Sequence, residues 1–169
     1  LGRRTFLHPV VATTAKFAEP IEAWSGAPQT IYTDHFLGIH PIDGPMGYKL
    51  EAPPLHPVIS TIAMPGFGAE MAEEMKLFPH TQALLALLRD GFHEQSPGGR
   101  VGLRKDGTPL LDYPLNDFVF EGARRALLSM AEIQFAAGAE RVAPVHEQAT
   151  YTSSWSEAKA QIERLPMRP

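Results

Sequence analysis

The chain has 169 residues, a length that suits one folded domain of the usual ~100–200, and its 44% hydrophobic content suffices for a core. Fifteen basic against nineteen acidic residues give a net charge of −4, with no basic run longer than Arg3-Arg4 or Arg124-Arg125, which excludes the concentrated cationic footprint that nucleic acid requires. Cysteine is absent, so disulfides and thiol chemistry are excluded, and apolar runs such as Ala83 to Leu88 fall far short of the roughly 20 residues that span a bilayer. The chain reads as soluble, with the cytoplasm the favoured compartment.

Residues 1 to 24 carry Val10-Val11 and Phe17 and are broken by Pro20, a pattern of strand plus connector. Gln29 to Phe36 alternates as a strand, with Thr30, Tyr32, Asp34 and Phe36 on one face and Gln29, Ile31, Thr33 and His35 on the other. Both faces mix polar with apolar side chains, which suits a sheet that is wet or lines a cavity. The Gly- and Pro-rich stretch from Gly38 to Gly47 is loop, and Tyr48 to Glu51 forms a short strand with Tyr48 and Leu50 opposite Lys49 and Glu51. After the break at Pro53-Pro54, Pro57 opens a helix through Val58, Ile59, Ile62 and Ala63, where its missing N–H costs nothing. Ala69 to Phe78 is a second helix, ended by Pro79. Thr81 to Arg89 is ambiguous: Ala83-Leu84-Leu85-Ala86-Leu87-Leu88 favours helix by propensity, yet its shortness between breakers suits a buried strand.

Arg100 to Arg104 and Pro109 to Tyr113 read as a hairpin, because Gly in Asp106-Gly107 can take the positive φ of a tight reversal. Asn116 or Asp117 caps a long helix, expected to set Phe120, Leu127 and Phe135 against a sheet and to end at Gly138. Arg141 to Ser153 is extended and interrupted by Pro144. Ser154 then caps a helix through Trp155, Ala158 and Ile162, with Glu157 completing a capping box.

The wording of the hairpin and helix is more specific than their shapes. Gly99-Arg100-Val101-x-Leu103, Asp106-Gly107-x-Pro109-x-Leu111-Asp112-Tyr113-Pro114-Leu115-x-Asp117 and Ala131-Glu132-Ile133-x-Phe135-Ala136-Ala137-Gly138-Ala139 resemble the substrate-binding part of glucose–methanol–choline (GMC) flavoenzymes, above all their long-chain alcohol oxidase-like members. The resemblance extends over His8-Pro9-Val10, over Gly26 to Phe36 and over Lys49 to Pro57. It implies an α+β fold, an antiparallel β-sheet with helices packed on one face, and this decides Thr81 to Arg89 as strand.

Family members hold FAD in a dinucleotide fold opened by G-x-G-x-x-G and carry a catalytic His near the C-terminus. Neither motif is found here; Gly66-Phe67-Gly68-Ala69-Glu70-Met71 lacks the third glycine and no hydrophobic strand precedes it. The expectation is a single substrate-binding domain over residues 1–169, a fragment of a larger flavoenzyme that oxidises an alcohol by hydride transfer to FAD. The missing FAD-binding domain of the same parent is its expected partner, and the chain alone is expected to hold no cofactor and to be inactive. On that resemblance the substrate wall comprises Gln29, Tyr32, Asp34, Phe36, Lys49, Glu51, His56 and Phe67, with no catalytic residue. The alternatives are a stand-alone small-ligand module and a protein-interaction domain. Seven histidines form no H-x-x-x-H pair and have no Cys beside them, so no metal site is expected. No Gly-x-Ser-x-Gly elbow supports hydrolase chemistry.

Overall fold

A computed structural model describes residues 2–63 and 67–168. Gly66 of the incomplete glycine motif lies outside the described residues. Five strands form one antiparallel sheet: β2 (Val10–Lys16), β3 (Tyr32–Thr33), β4 (Tyr48–Glu51), β5 (Thr81–Leu88) and β8 (Arg141–Pro144), in the order β3-β4-β5-β2-β8. A second antiparallel sheet holds β1 (Arg3–Thr5), β6 (Gly99–Leu103) and β7 (Pro109–Asp112), in the order β1-β6-β7. The helices are α1 (His35–Gly38), α2 (Pro57–Ala63), α3 (Ala69–Lys76), α4 (Asp117–Ala136) and α5 (Trp155–Arg164). The class is α+β.

The run whose composition favours helix is the central strand. β5 pairs with β2 from Val10↔Leu87 to Lys16↔Thr81 and with β4 from Tyr48↔Leu88 to Glu51↔Leu85. Between two partners a near-continuous apolar sequence hides side chains on both faces, and burial overrides propensity. One pleat sends Leu84, Ala86 and Leu88 to the same side as Ala15, Tyr48, Leu50 and Val142, and α4 lies across them in one buried core.

Helix α4 starts where Asn116 accepts a hydrogen bond from the Val119 N–H at 3.1 Å. It stops at Gly138, whose φ of +95° suits a residue without Cβ. Its buried stripe is Val119, Ala123, Ala126, Leu127, Met130 and Gln134. The expected phase is corrected at one end: Leu127 is in the stripe and Phe135 packs partly buried against the core, but Phe120 lies about 100° around the helix from Val119 and is outside the core cluster. Alanines on the inner face let the helix approach the strands closely. Gln134 donates to Gln82 Oε1 at 2.7 Å, and Arg124 donates to the Ile162 and Leu165 carbonyls at the end of α5.

The expected strand from Gln29 to Phe36 shrinks to Tyr32–Thr33. Gln29 sits at φ +51°, Asp34 leaves the extended region at φ −101°, ψ 8°, and Phe36 is already in α1. Pairing reaches only Tyr32↔Glu51 and Thr33↔Leu50, because the chain turns into α1 at Asp34 while Lys49 and Tyr48 of β4 run on. At the other end the partner meets Pro53 and Pro54. The second expected helix ends at Lys76, and a 3-10 turn over Phe78–His80 accommodates Pro79.

The hairpin of β6 and β7 pairs as expected, from Arg100↔Asp112 to Leu103↔Pro109, around Gly107 at φ +84°. Asp106 accepts from both the N–H and the hydroxyl of Thr108, which holds its carboxyl below the usual range. Leu103, Leu110 and Leu111 are exposed. The second sheet is fastened at its base, where buried Asp90 accepts from the Tyr113 hydroxyl and the Leu7 N–H donates to the same hydroxyl at 3.3 Å. Gly91 and Gly98, both at positive φ, flank the Phe6 ring so closely that a Cβ on either would come within 2.8 Å of it. No helix among the described residues is long and apolar enough to cross a membrane.

Two outcomes test this arrangement. Leu127→Ala should cost about 2–5 kcal/mol in urea unfolding, and Leu127→Asp should abolish cooperative folding, whereas Phe120→Ala should cost well under half the Leu127→Ala value. Equal losses at Leu127 and Phe120 would overturn the helical phase. Burial, followed by the bond to Asp90, pushes the Tyr113 hydroxyl up to about 12 from 10.0. A folded-state pKa above the unfolded one makes Tyr113 stabilising below about pH 10, with the contribution lost as pH rises to about 12. Tyr113→Phe should remove that alkaline fall, read as the difference between the two proteins' denaturation midpoints across this window.

Candidate functional site

The face of the large sheet opposite α4 carries small side chains. The alternate pleat of β2, β5 and β8 presents Ala12, Thr14, Thr81, Ala83, Leu85 and Ala143, which are mostly too short to fill the space above them. A cavity of about 770 Å³ results, within the range of small-molecule sites. One wall is Leu55, His56, Ile59 and Ile62, from the segment after β4 and from α2; the other is the chain from Pro144 to Tyr151. Glu74 of α3 lies at its edge.

Polar groups gather where β2 ends and β5 begins. Lys16, 3% exposed, donates to Thr81 Oγ1 at 2.9 Å and pairs with Glu74 Oε2 at 3.2 Å. Thr81 Oγ1 in turn donates to the Leu77 carbonyl at 2.8 Å. The Tyr151 hydroxyl is 3.1 Å from Thr14 Oγ1, and its ring lies beneath the Lys16 ammonium at 5.6 Å and the Arg141 guanidinium at 5.4 Å. Burial lowers the Lys16 pKa, partly offset by Glu74, and burial raises that of Tyr151, so the phenol stays protonated at neutral pH. His146 accepts from the Gln148 N–H through Nδ1, which leaves Nε2 to donate to the Pro166 carbonyl at 3.0 Å.

Of the residues expected to form the wall, His56 lines this cavity. Gln29, Tyr32, Lys49 and Glu51 come together at the β3–β4 edge instead: Lys49 is 2.8 Å from Glu51 and 4.1 Å from the Tyr32 ring centre, and Gln29 donates to Glu51 at 3.1 Å. Lys49 and Glu51 share the cavity's face of the sheet, since they pair with Leu87 and Leu85. Asp34 occupies the N-cap position of α1 without a side-chain cap bond. Phe36 stacks on Tyr48 with ring centres 5.0 Å apart, on the α4 side. Phe67 is 87% exposed and does not line the cavity. Sequence reasoning missed Thr14, Lys16, Glu74, Thr81, Ala83 and Tyr151; the available signal was the run of small residues on one pleat of β2 and β5.

Among the described residues no three His, Asp or Glu side chains are grouped to hold a metal ion. FAD needs free N–H groups at a helix that follows a strand and a close glycine turn. Here α3 follows helix α2, while Asn116 and Ser154 already occupy the starts of α4 and α5. The described residues do not fit the flavin pyrophosphate.

No family model matches the chain. Over 142 residues, 84% of its length, it is 27% identical to two proteins named uncharacterized GMC-type oxidoreductase, one from Mycobacterium tuberculosis strain CDC 1551 / Oshkosh and one from strain ATCC 25618 / H37Rv. The chain is similar to GMC-type oxidoreductases. It spans about a fifth of those relatives, covering 21% of each.

The buried ion pair has a signed consequence. Removing the carboxylate in Glu74→Gln should push the Lys16 pKa further down, widening the pH range in which the unfolded chain binds the extra proton. The variant should be destabilised by about 1–3 kcal/mol near neutral pH and should recover as pH rises toward the ordinary lysine range, checked by urea unfolding at a series of pH values.

Proposed function

We propose that this chain is the substrate-binding part of an FAD-dependent oxidoreductase acting on CH–OH groups, with the cavity above β5, β2 and β8 receiving the alcohol. The observation that carries this reading is the cavity on the uncovered sheet face, in a chain that is 27% identical to GMC-type oxidoreductases over 84% of its length. The whole chain acts as one substrate-binding domain. Its partner is the flavin-holding part of a longer protein, and the exposed hairpin leucines supply apolar surface for that contact.

This chain's share of the work is binding, orientation and exclusion of water. Ala83 and Leu85 form a dry floor, Ile59 and Ile62 an apolar side, and the Thr14–Tyr151 pair a hydrogen-bonding end. Holding a reacting carbon in one orientation contributes several kcal/mol, of the ~7–11 kcal/mol available from proximity, without any nucleophile or base. The resemblance to long-chain alcohol oxidase-like members favours an apolar alcohol.

Ala83→Phe fills the cavity from its floor. In a flavoenzyme carrying this chain it should raise KM for an apolar alcohol by about tenfold or more while a small alcohol still reduces the flavin. Equal KM values in the two proteins would overturn the assignment of the cavity. The chain by itself should purify colourless and leave flavin fluorescence unchanged when FAD is titrated at micromolar concentration. Stoichiometric yellow protein would overturn the division of labour.

A further inference from the structure

The cavity is not uniformly apolar, and its charges are one-sided. The ionisable side chains on its wall are Glu74, Glu147, His56, His146 and Tyr151; among the described residues no Lys or Arg lines it. Lys16 points to the cavity side but is 3% exposed and is not in the lining, with its ammonium committed to Thr81 and Glu74, and Arg141 is stacked on the Tyr151 ring. Of the Glu74 carboxylate, Oε2 meets Lys16, and Oε1 has no hydrogen bond among the described residues. Its side chain keeps 26% exposure, and Glu74 is part of the cavity lining. The Tyr151 hydroxyl stands beside it in the lining, bonded to Thr14 alone among the described residues.

A molecule in the cavity therefore lies against the hydrocarbon of Ile59 and Ile62 and against a carboxylate and a phenol. The first accepts only. The second can donate or accept by turning its proton between Thr14 and the ligand. A head group that donates a hydrogen bond satisfies both, whereas a carboxylate head offers the Glu74 oxygen no proton and meets its like charge.

We propose that Glu74 and Tyr151 are the specificity-determining end of the cavity, selecting ligands with an apolar body and a hydrogen-bond-donating head, hydroxyl or ammonium, and turning carboxylates away. The inference rests on the cavity being the ligand site. It adds which end of the ligand is read and by which side chains.

The test uses the 169-residue chain itself. Nile red, a neutral apolar dye, is bound and then displaced by decan-1-ol, decylammonium or decanoate, three ligands with one chain and different heads. Decanol and decylammonium should displace the dye at concentrations about tenfold or more below decanoate. Glu74→Gln should remove the preference of ammonium over carboxylate, bringing the two within about threefold. Tyr151→Phe, which keeps the ring between its cations and loses only the hydroxyl, should weaken decanol about tenfold and leave dye binding unchanged.

An ammonium-to-carboxylate preference that survives Glu74→Gln, or decanol binding indifferent to Tyr151→Phe, overturns this inference and leaves the cavity as a ligand site. Failure of the dye and of all three ligands to bind overturns both. Circular dichroism and urea unfolding establish that each variant is folded; should Glu74→Gln not fold, equal displacement by all three heads in the unaltered chain is still decisive against the proposal.

Discussion

The two-sided burial of β5 is the constraint on which the rest of the molecule depends. Its pleat divides the strand into Leu84, Ala86 and Leu88, which meet α4, and Thr81, Ala83 and Leu85, which form the cavity floor. A slip of one residue against β2 or β4 would exchange the sets, burying Thr81 under the helix and placing Leu84 and Leu88 in the cavity. The register is held because only one phase gives α4 a continuous apolar bed. Stability and the cavity thus come from the same choice, and the helix enforces the site without touching it.

The second dependence is electrostatic. A lysine at the end of β2 is expelled from the α4 side by the strand's own alternation, since Thr13 and Ala15 occupy that face. Lys16 therefore points to the cavity side, where burial disfavours its charge and Glu74 partly offsets that. The consequence reaches beyond the pair. Helix α3 has no buried residue of its own, and this ion pair, with the Thr81 hydroxyl's bond to the Leu77 carbonyl, ties its C-terminal end to the sheet. The lysine also removes part of the wall's negative charge while staying out of a ligand's reach.

Legibility in the sequence followed the length of the pattern. The hairpin, the long helix with its Asn116 cap and Gly138 stop, and the Ser154 start of α5 could be read because each is specified by neighbours in sequence. The capping of α5 differs only in detail: Glu157 bonds the Ser153 N–H, one residue before the cap. Between Gln29 and Phe36 the alternation is cut by the positive φ of Gln29 at one end and by the turn at Asp34 into α1 at the other, and so it yields two strand residues. Of the expected wall residues, Gln29, Tyr32, Asp34 and Phe36 rest on that alternation and Lys49 and Glu51 on the next strand; Gln29 and Tyr32 gather with Lys49 and Glu51 at the sheet edge. The cavity itself depends on β2, β5 and β8 becoming neighbours across more than a hundred residues. No local pattern shows that, although the alanines on one pleat mark where space must remain.

That space is costly to leave open, because each small floor residue forfeits contacts that a larger side chain would make. A sheet needing only stability would carry Leu or Ile at Ala12, Ala83 and Ala143 and draw α2 down upon them. Instead α2 keeps Val58, Ile59 and Ile62 exposed, and the chain from Pro144 to Tyr151 arches along the far side. The unmade packing sits directly above strands whose opposite face is fully packed by α4. The missing contacts therefore cannot be ascribed to a chain that lacks apolar residues. They are concentrated at one place on a sheet backed by α4, with hydrogen-bonding groups at one end. That combination of an apolar floor, a firm backing and a polar end is what the proposed binding of one molecule in one orientation rests on.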